Sequence, residues 1–196
     1  MSSATNYCQA LIDANIEPTC EDLASGYEKT GVIINREDVD FATSVFSVTD
    51  PNTLTALTLK SGKKGFKIVD VSLNPFTGST NKGVAGTYTN SFTKEVHFRI
   101  PSDTTEVAKV IDEIANGEFV VVLPKKQKNG GKSEFEIVGF ENGCRADAGN
   151  ITNEPASDDG DGWSVVVTEK AARKSKIFLF NTDAETTEAA VTALYA

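Results

Sequence analysis

Histidine is almost missing from this sequence: His97 stands alone among 196 residues. That scarcity removes most acid–base and nucleophilic chemistry. A Ser-His-Asp arrangement would have to use His97, and no Gly-x-Ser-x-Gly elbow accompanies it. His97 also lacks a cysteine or carboxylate at metal-ligand spacing and falls mid-strand on a polar face, which reads as an ordinary surface imidazole. Cysteine is sparse and odd in number: Cys8, Cys20 and Cys144 fit no zinc or redox spacing. Free thiols in a reducing cytoplasm are expected, and nothing supports a Cys8–Cys20 bridge. No apolar run approaches the length of a membrane span, and residues 1–9 are too polar for a signal peptide. A protein made and folded in a cytoplasm, with no membrane partner, is therefore expected. Bases are outnumbered, 19 against 28 acids, for a formal charge of -9. Such a surface repels duplex DNA rather than grips it.

Three apparent motifs fail on inspection. Counted from Asp158, Glu169 reaches the twelfth place of a calcium loop. However, Gly160 and Gly162 occupy ligand positions and Trp163 stands where the sharp turn needs glycine. Gly62-Lys63-Lys64-Gly65 lacks the phosphate-loop frame. Asn150-Ile151-Thr152 is a glycosylation triplet without a secretory route. No cofactor, metal or catalytic residue is expected, and an enzyme is the least favoured class. The charges are uneven: Glu141, Asp147, Glu154, Asp158, Asp159 and Asp161 face only Arg145, while Lys60, Lys63, Lys64 and Lys67, and again Lys125, Lys126, Lys128 and Lys132, cluster. Two solvated faces explain this most simply, although opposite patches also permit head-to-tail contact between copies.

What is present is β pattern. The expectation is a single domain over residues 1–196, mainly β (sandwich or barrel-like), with one flanking α-helix and a short C-terminal helix. Residues 1–30 read as a polar arm with a short helix over 7–16. A strand starts at Gly31. Residues 54–59 alternate and are expected to form a hairpin with 66–73. Residues 74–86, rich in glycine and polar residues with Phe76 as the apolar tip, read as a mobile loop closing a long hairpin between 66–73 and 88–100. Val96, Phe98 and Ile100 point to one side of that second strand, and Glu95, His97 and Arg99 to the other. Asp103 and Glu106 form a capping box for a helix whose Val107, Val110, Ile111 and Ile114 share a face, with Gly117 at its end. Residues 119–123 are wholly apolar, which suits a central strand. Strands follow at 134–140, 163–168 and 177–180, and Thr182 with Glu185 opens the last helix, which carries Ala189, Ala190, Ala193 and Leu194.

So many strands and so few helices leave sheet edges uncovered. Monomeric β proteins blunt such edges, whereas assembling proteins use them.

The order of features resembles the tail-tube proteins of tailed phages, especially those of Bacteroides-group hosts. The likeness runs over most of the chain. It rests on Cys20-Glu21-Asp22 before the first strand, Arg36-Glu37-Asp38-Val39-Asp40, Gly62-Lys63-Lys64-Gly65-Phe66, Gly117-Glu118-Phe119-Val120-Val121-Val122, Phe135-Glu136-Ile137-Val138-Gly139-Phe140-Glu141-Asn142-Gly143-Cys144-Arg145 and Gly162-Trp163-Ser164-Val165-Val166-Val167-Thr168. The resemblance implies a virion structural subunit, synthesised in the bacterial host cytoplasm. Six copies would form a ring, and stacked rings a β-lined channel through which DNA passes without specific binding. Other virion proteins would be partners. Rings would stack through the 74–86 loop, with Asn74, Pro75, Phe76, Thr77, Gly78, Lys82 and Gly83 as interaction residues. The polar face of the long hairpin would line an acidic bore. Alternatives are a head-decoration or auxiliary capsid protein, and a monomeric β-sandwich that binds carbohydrate or protein.

Overall fold

The computed structural model describes residues 26–128, 131–147, 149–153 and 162–196. In chain order the strands are β1 (Thr30–Asn35), β2 (Val45–Phe46), β3 (Thr53–Ala56), β4 (Phe66–Val69), β5 (Thr80–Val84), β6 (Ser91–Ile100), β7 (Phe119–Pro124), β8 (Phe135–Val138), β9 (Ile151–Asn153), β10 (Trp163–Ala172) and β11 (Ile177–Leu179). Helix α1 (Thr105–Asn116) lies between β6 and β7, and α2 (Ala184–Ala193) follows β11. A seven-stranded sheet runs β2-β3-β11-β8-β7-β1-β4, and a four-stranded sheet runs β5-β6-β10-β9. The expected mainly β, sandwich-like architecture with flanking helices is what forms. The expected helix over 7–16, Cys8, Cys20 and, of the acidic stretch, Glu154, Asp158, Asp159 and Asp161 lie outside the described residues.

The continuous apolar run of β7 has a direct cause. Strands alternate their side chains, so a strand reads as all apolar only when both its faces are covered. Val121 and Leu123 point into the layer between the sheets, with Val96, Phe98, Val165, Val167 and Ile114. Val120 and Val122 point the other way, onto Ile34, Leu54, Ile137, Val191 and Leu194. Each such side chain contributes about 1.5–3 kcal/mol on burial. The wide sheet is thus sandwiched twice, by the narrow sheet with α1 and by α2 with part of the 39–59 connection.

Both helices start one residue later than the sequence suggests. Thr104, not Asp103, caps α1 by accepting from the Val107 amide. Asp103 instead accepts from Trp163 Nε1 at 3.1 Å. Asp183, not Thr182, caps α2, taking the Thr186 amide at 2.7 Å. The inward face of α2 is Thr187, Val191 and Leu194, while Ala189, Ala190 and Ala193 are exposed, because a methyl group has little surface to bury. Gly117 ends α1 with φ -89, so handedness does not require it. Space does: a Cβ there would lie 2.1 Å from the Phe119 ring.

Neither hairpin expected around β4 forms. β3 pairs with β2 and, in parallel, with β11, while β4 pairs with β1. β4 and β6 belong to different sheets. The reason lies at Asp70. Its buried carboxylate accepts from the Ser72 amide at 3.1 Å and the Phe76 amide at 2.8 Å, folding the chain back on itself directly after β4. The chain then crosses to the other layer, and β6 takes β5 and β10 as neighbours.

Candidate functional site

The first question is whether the fold gathers reactive groups. His97 sits on the outward face of β6, its Nε2 3.8 Å from Glu95 Oε2. Among the described residues no three His, Cys, Asp or Glu converge as metal ligands would. Cys144 is free and buried, and burial with nearby Glu169 pushes its thiol pKa up. Between the sheets lies a polar cavity of about 70 Å³ near Glu136, Lys176 and Tyr27. Lys176 Nζ donates to Glu136 at 2.9 Å and Tyr27 to the same oxygen at 3.1 Å. Burial and the Glu136 charge push the Tyr27 hydroxyl far above its ordinary pKa. These groups are mutually satisfied and tie Tyr27 to β8 across the sheet. No helix among the described residues is long and apolar enough to cross a membrane.

The sequence-predicted interface residues do not form one loop. Asn74 and Thr77 are exposed around a tight turn, whose Thr77 hydroxyl donates to Asn74 O at 2.6 Å. Pro75 is buried. Phe76 is only 1 % exposed, so it plugs the inter-sheet layer rather than capping a tip, and its ring meets Tyr27 edge-on at 6.2 Å. Gly78 is exposed beside His97. Lys82 and Gly83 are exposed within β5, paired with Thr93 and Phe92. The free turn is therefore confined to 85–90.

Sheet margins carry the more informative geometry. β5 and β9 are both outermost in the narrow sheet. Its outward face carries Thr80, Lys82, Val84, Ser91, Thr93, Glu95, His97, Arg99, Ser164 and Val166, as the strand register dictates, with Thr168 in the same rows but buried. Thr80 Oγ1 donates to Glu95 at 2.8 Å, and Lys82 lies 3.8 Å from the same carboxylate. The face is hydroxyl-rich and holds two bases against one acid. Among the described residues of β5 and β6, Glu95 is the one acid on this face, so the acidic-bore expectation has no support from these strands.

The wide sheet ends at β4. Phe66 is 53 % exposed, and Val69, Val71 and Leu73 are exposed beside it. An apolar groove of about 530 Å³ runs between β4 and α1, floored by Ile33, Ile68, Phe98 and Phe119 and walled by Phe66 and Val110. On the opposite face, Phe41, Phe46 and Phe140 stack edge-on around a cleft of about 400 Å³, with Arg36 over Phe41 and Lys174 over Phe46.

Sequence reasoning missed the most unusual pair. Lys94 Nζ donates to Glu169 Oε2 at 3.0 Å, and both side chains are buried, 2 % and 0 % exposed. The strands set them directly opposite each other. The signal was there: Lys94 is in phase with Val96 and Phe98, and Glu169 with Val165 and Val167. Compared with family models, with curated proteins and with solved structures, the chain matches none.

Proposed function

We propose that this protein is a self-assembling structural subunit of a virion, a tail-tube subunit whose narrow sheet joins those of its copies into a β-lined channel. The observation that carries the reading is that sheet's form: two long central strands flanked on both margins by short strands that have no outer neighbour among the described residues. Copies that paired β5 of one with β9 of the next would complete those backbone groups and close a ring. The hydroxyls of the outward face suit a channel wall, since an uncharged group neutralises no phosphate and releases no counterion. The resemblance in feature order supports the same reading. Hexameric rings, a virion location and other virion proteins as partners belong to it.

Negative-stain electron microscopy of the purified full chain tests it. Rings or hollow tubes are the expected result, and a strict monomer at high concentration refutes it. Trimers or pentamers would favour a head-decoration protein. One observation favours a monomeric binding module instead: the three-phenylalanine cleft flanked by Arg36, Lys174, Asn142 and Arg173. A monomer that retains a glycan or peptide on an array, and loses it on Phe41→Ala, would replace the assembly reading with that one.

A further inference from the structure

We infer that the three-phenylalanine cleft docks an acidic peptide segment that carries an aromatic or large aliphatic side chain. The inference goes beyond the tail-tube reading, which rests on the narrow sheet, and gives the cleft a ligand class. Phe41 and Phe46 each meet Phe140 edge-on, at 5.3 and 5.4 Å between ring centroids, and Phe41 stays 40 % exposed. Ala171, on the cleft wall, holds a left-handed backbone (φ +56) where the pairing of β10 with β6 shifts between Glu169 and Ala172. Backbone strain in a residue other than glycine clusters at ligand clamps. A bulge of this kind re-aims the chain, and here it brings Arg173 to the cleft.

Three observations select the occupant. The first is charge. Across the cleft and its rim, Arg36, Arg145, Arg173 and Lys174 stand against Glu118 and Glu141. Both acids are engaged: Glu118 takes Arg145 at 2.7 Å, and Glu141 Oε2 accepts from the Arg173 and Lys174 amides at 2.9 and 3.0 Å. Among the described residues no carboxylate pairs with the exposed Arg173 guanidinium. The surplus is positive and favours an anion. The second is the state of the other polar groups. Asn142 Nδ2 donates to the Lys170 and Ala171 carbonyls at 3.0 and 2.9 Å, and Arg36 Nη2 to Glu141 O at 2.8 Å. Few groups are left to read the hydroxyls of a sugar, whereas apolar rings and charge remain on offer. The third is the adjoining sheet margin. Phe46 belongs to β2, the outermost strand of the wide sheet, whose one strand neighbour among the described residues is β3. An extended peptide can pair along such a margin while one of its side chains fills the pocket beside it.

The test pans a displayed library of random octapeptides against the biotinylated full chain and discards clones that also bind the Phe41→Ala variant. Survivors with net negative charge and an aromatic or large aliphatic residue are the expected result. A synthetic survivor, followed by fluorescence anisotropy, should lose at least about tenfold in affinity for Arg173→Glu. Its twin with lysine in place of each acid should bind Arg173→Glu more tightly than the native chain. Arg173 is exposed, so the charge reversal leaves the circular dichroism unchanged and decides the matter even where Phe41→Ala perturbs the fold. No enrichment over the Phe41→Ala background, survivors of neutral or basic composition, or an acidic survivor indifferent to Arg173→Glu would overturn the inference. So would retention of an anionic glycan in place of any peptide. Electron microscopy and panning read different surfaces, so the tail-tube reading and this one fail separately.

Discussion

Replacing Glu169 with Gln changes one atom type at the most constrained polar position in the fold. The Glu169 carboxylate accepts four hydrogen bonds: Lys94 Nζ and the Gly139 amide reach Oε2, both at 3.0 Å, and the Glu141 and Asn142 amides reach Oε1 at 3.1 and 3.0 Å. Every partner is a donor. A Gln amide must aim its own NH2 at donors whichever way it turns, so at least one buried donor loses its acceptor. Lys94 also loses its counter-charge in a site with almost no water contact. Breaking one half of a buried ion pair costs about 3–5 kcal/mol, and an orphaned buried donor about 1–3 kcal/mol. The two overlap, so roughly 4 kcal/mol is expected, a large share of the 5–15 kcal/mol typical of a domain. Urea unfolding followed by Trp163 fluorescence measures it. Adding Lys94→Met to Glu169→Gln should recover at least about 1 kcal/mol, because the stranded charge is gone while the Gln oxygen still serves loop amides. A Glu169→Gln loss below about 1 kcal/mol, or a double variant worse than the sum of the singles, would refute the reasoning.

Phe76→Ala should cost about 3–5 kcal/mol, as for any large core side chain, and a loss within experimental error would return Phe76 to the surface. Gly139→Ala meets both strain and clash, since φ is +88 and the added Cβ would lie 2.3 Å from Phe119 O; a fall in stability of at least about 2 kcal/mol is expected in the same unfolding assay. Asp38 is held below its ordinary pKa, first by the hydrogen bond from Lys63 Nζ at 2.9 Å and also by Asn35. A depressed carboxylate stabilises the fold above its unfolded pKa and loses that contribution as pH falls through the folded one. Asp38→Asn should therefore flatten the decline of Tm on acidification below about pH 4, with an effect of only 0.2–1 kcal/mol, roughly, because Lys63 is exposed. In a Cys8→Ser, Cys20→Ser background, Cys144 should react with a thiol reagent only at the rate of unfolding; prompt labelling of the native protein would contradict its burial.

Local elements were legible in the sequence because their causes are local. The apolar stripe of α1, the uniform run of β7 and the alternation of β6 all reflect faces that sequence spacing fixes. Strand partners were not legible. The 66–73 segment looks like half of a hairpin on either side, and what decides is a carboxylate at Asp70 whose role depends on two amides it meets only in the folded turn. β8 shows the same limit: Glu134 and Glu136 alternate with Phe135 and Ile137, yet both are buried because the sheet is covered on both sides. Glu136 tolerates this through Lys176, forty residues away, a distance no periodicity reports. The candidate interface suffered most. Its Phe76 was read as exposed because the segment around it is polar and glycine-rich, whereas the groove at β4 is built from residues of five separate elements and leaves no contiguous signature.

The parallel partnership of β3 with β11 sets a timetable for biosynthesis. β11 sits between β3 and β8, so the wide sheet stays split in two until the ribosome has released residues close to the end of the sequence. At about 5–20 residues per second the β2–β3 unit waits on the order of ten seconds for its neighbour. During that interval a nascent chain exposes strand edges that the finished protein conceals, and newly made copies on one polysome are most prone to entangle then.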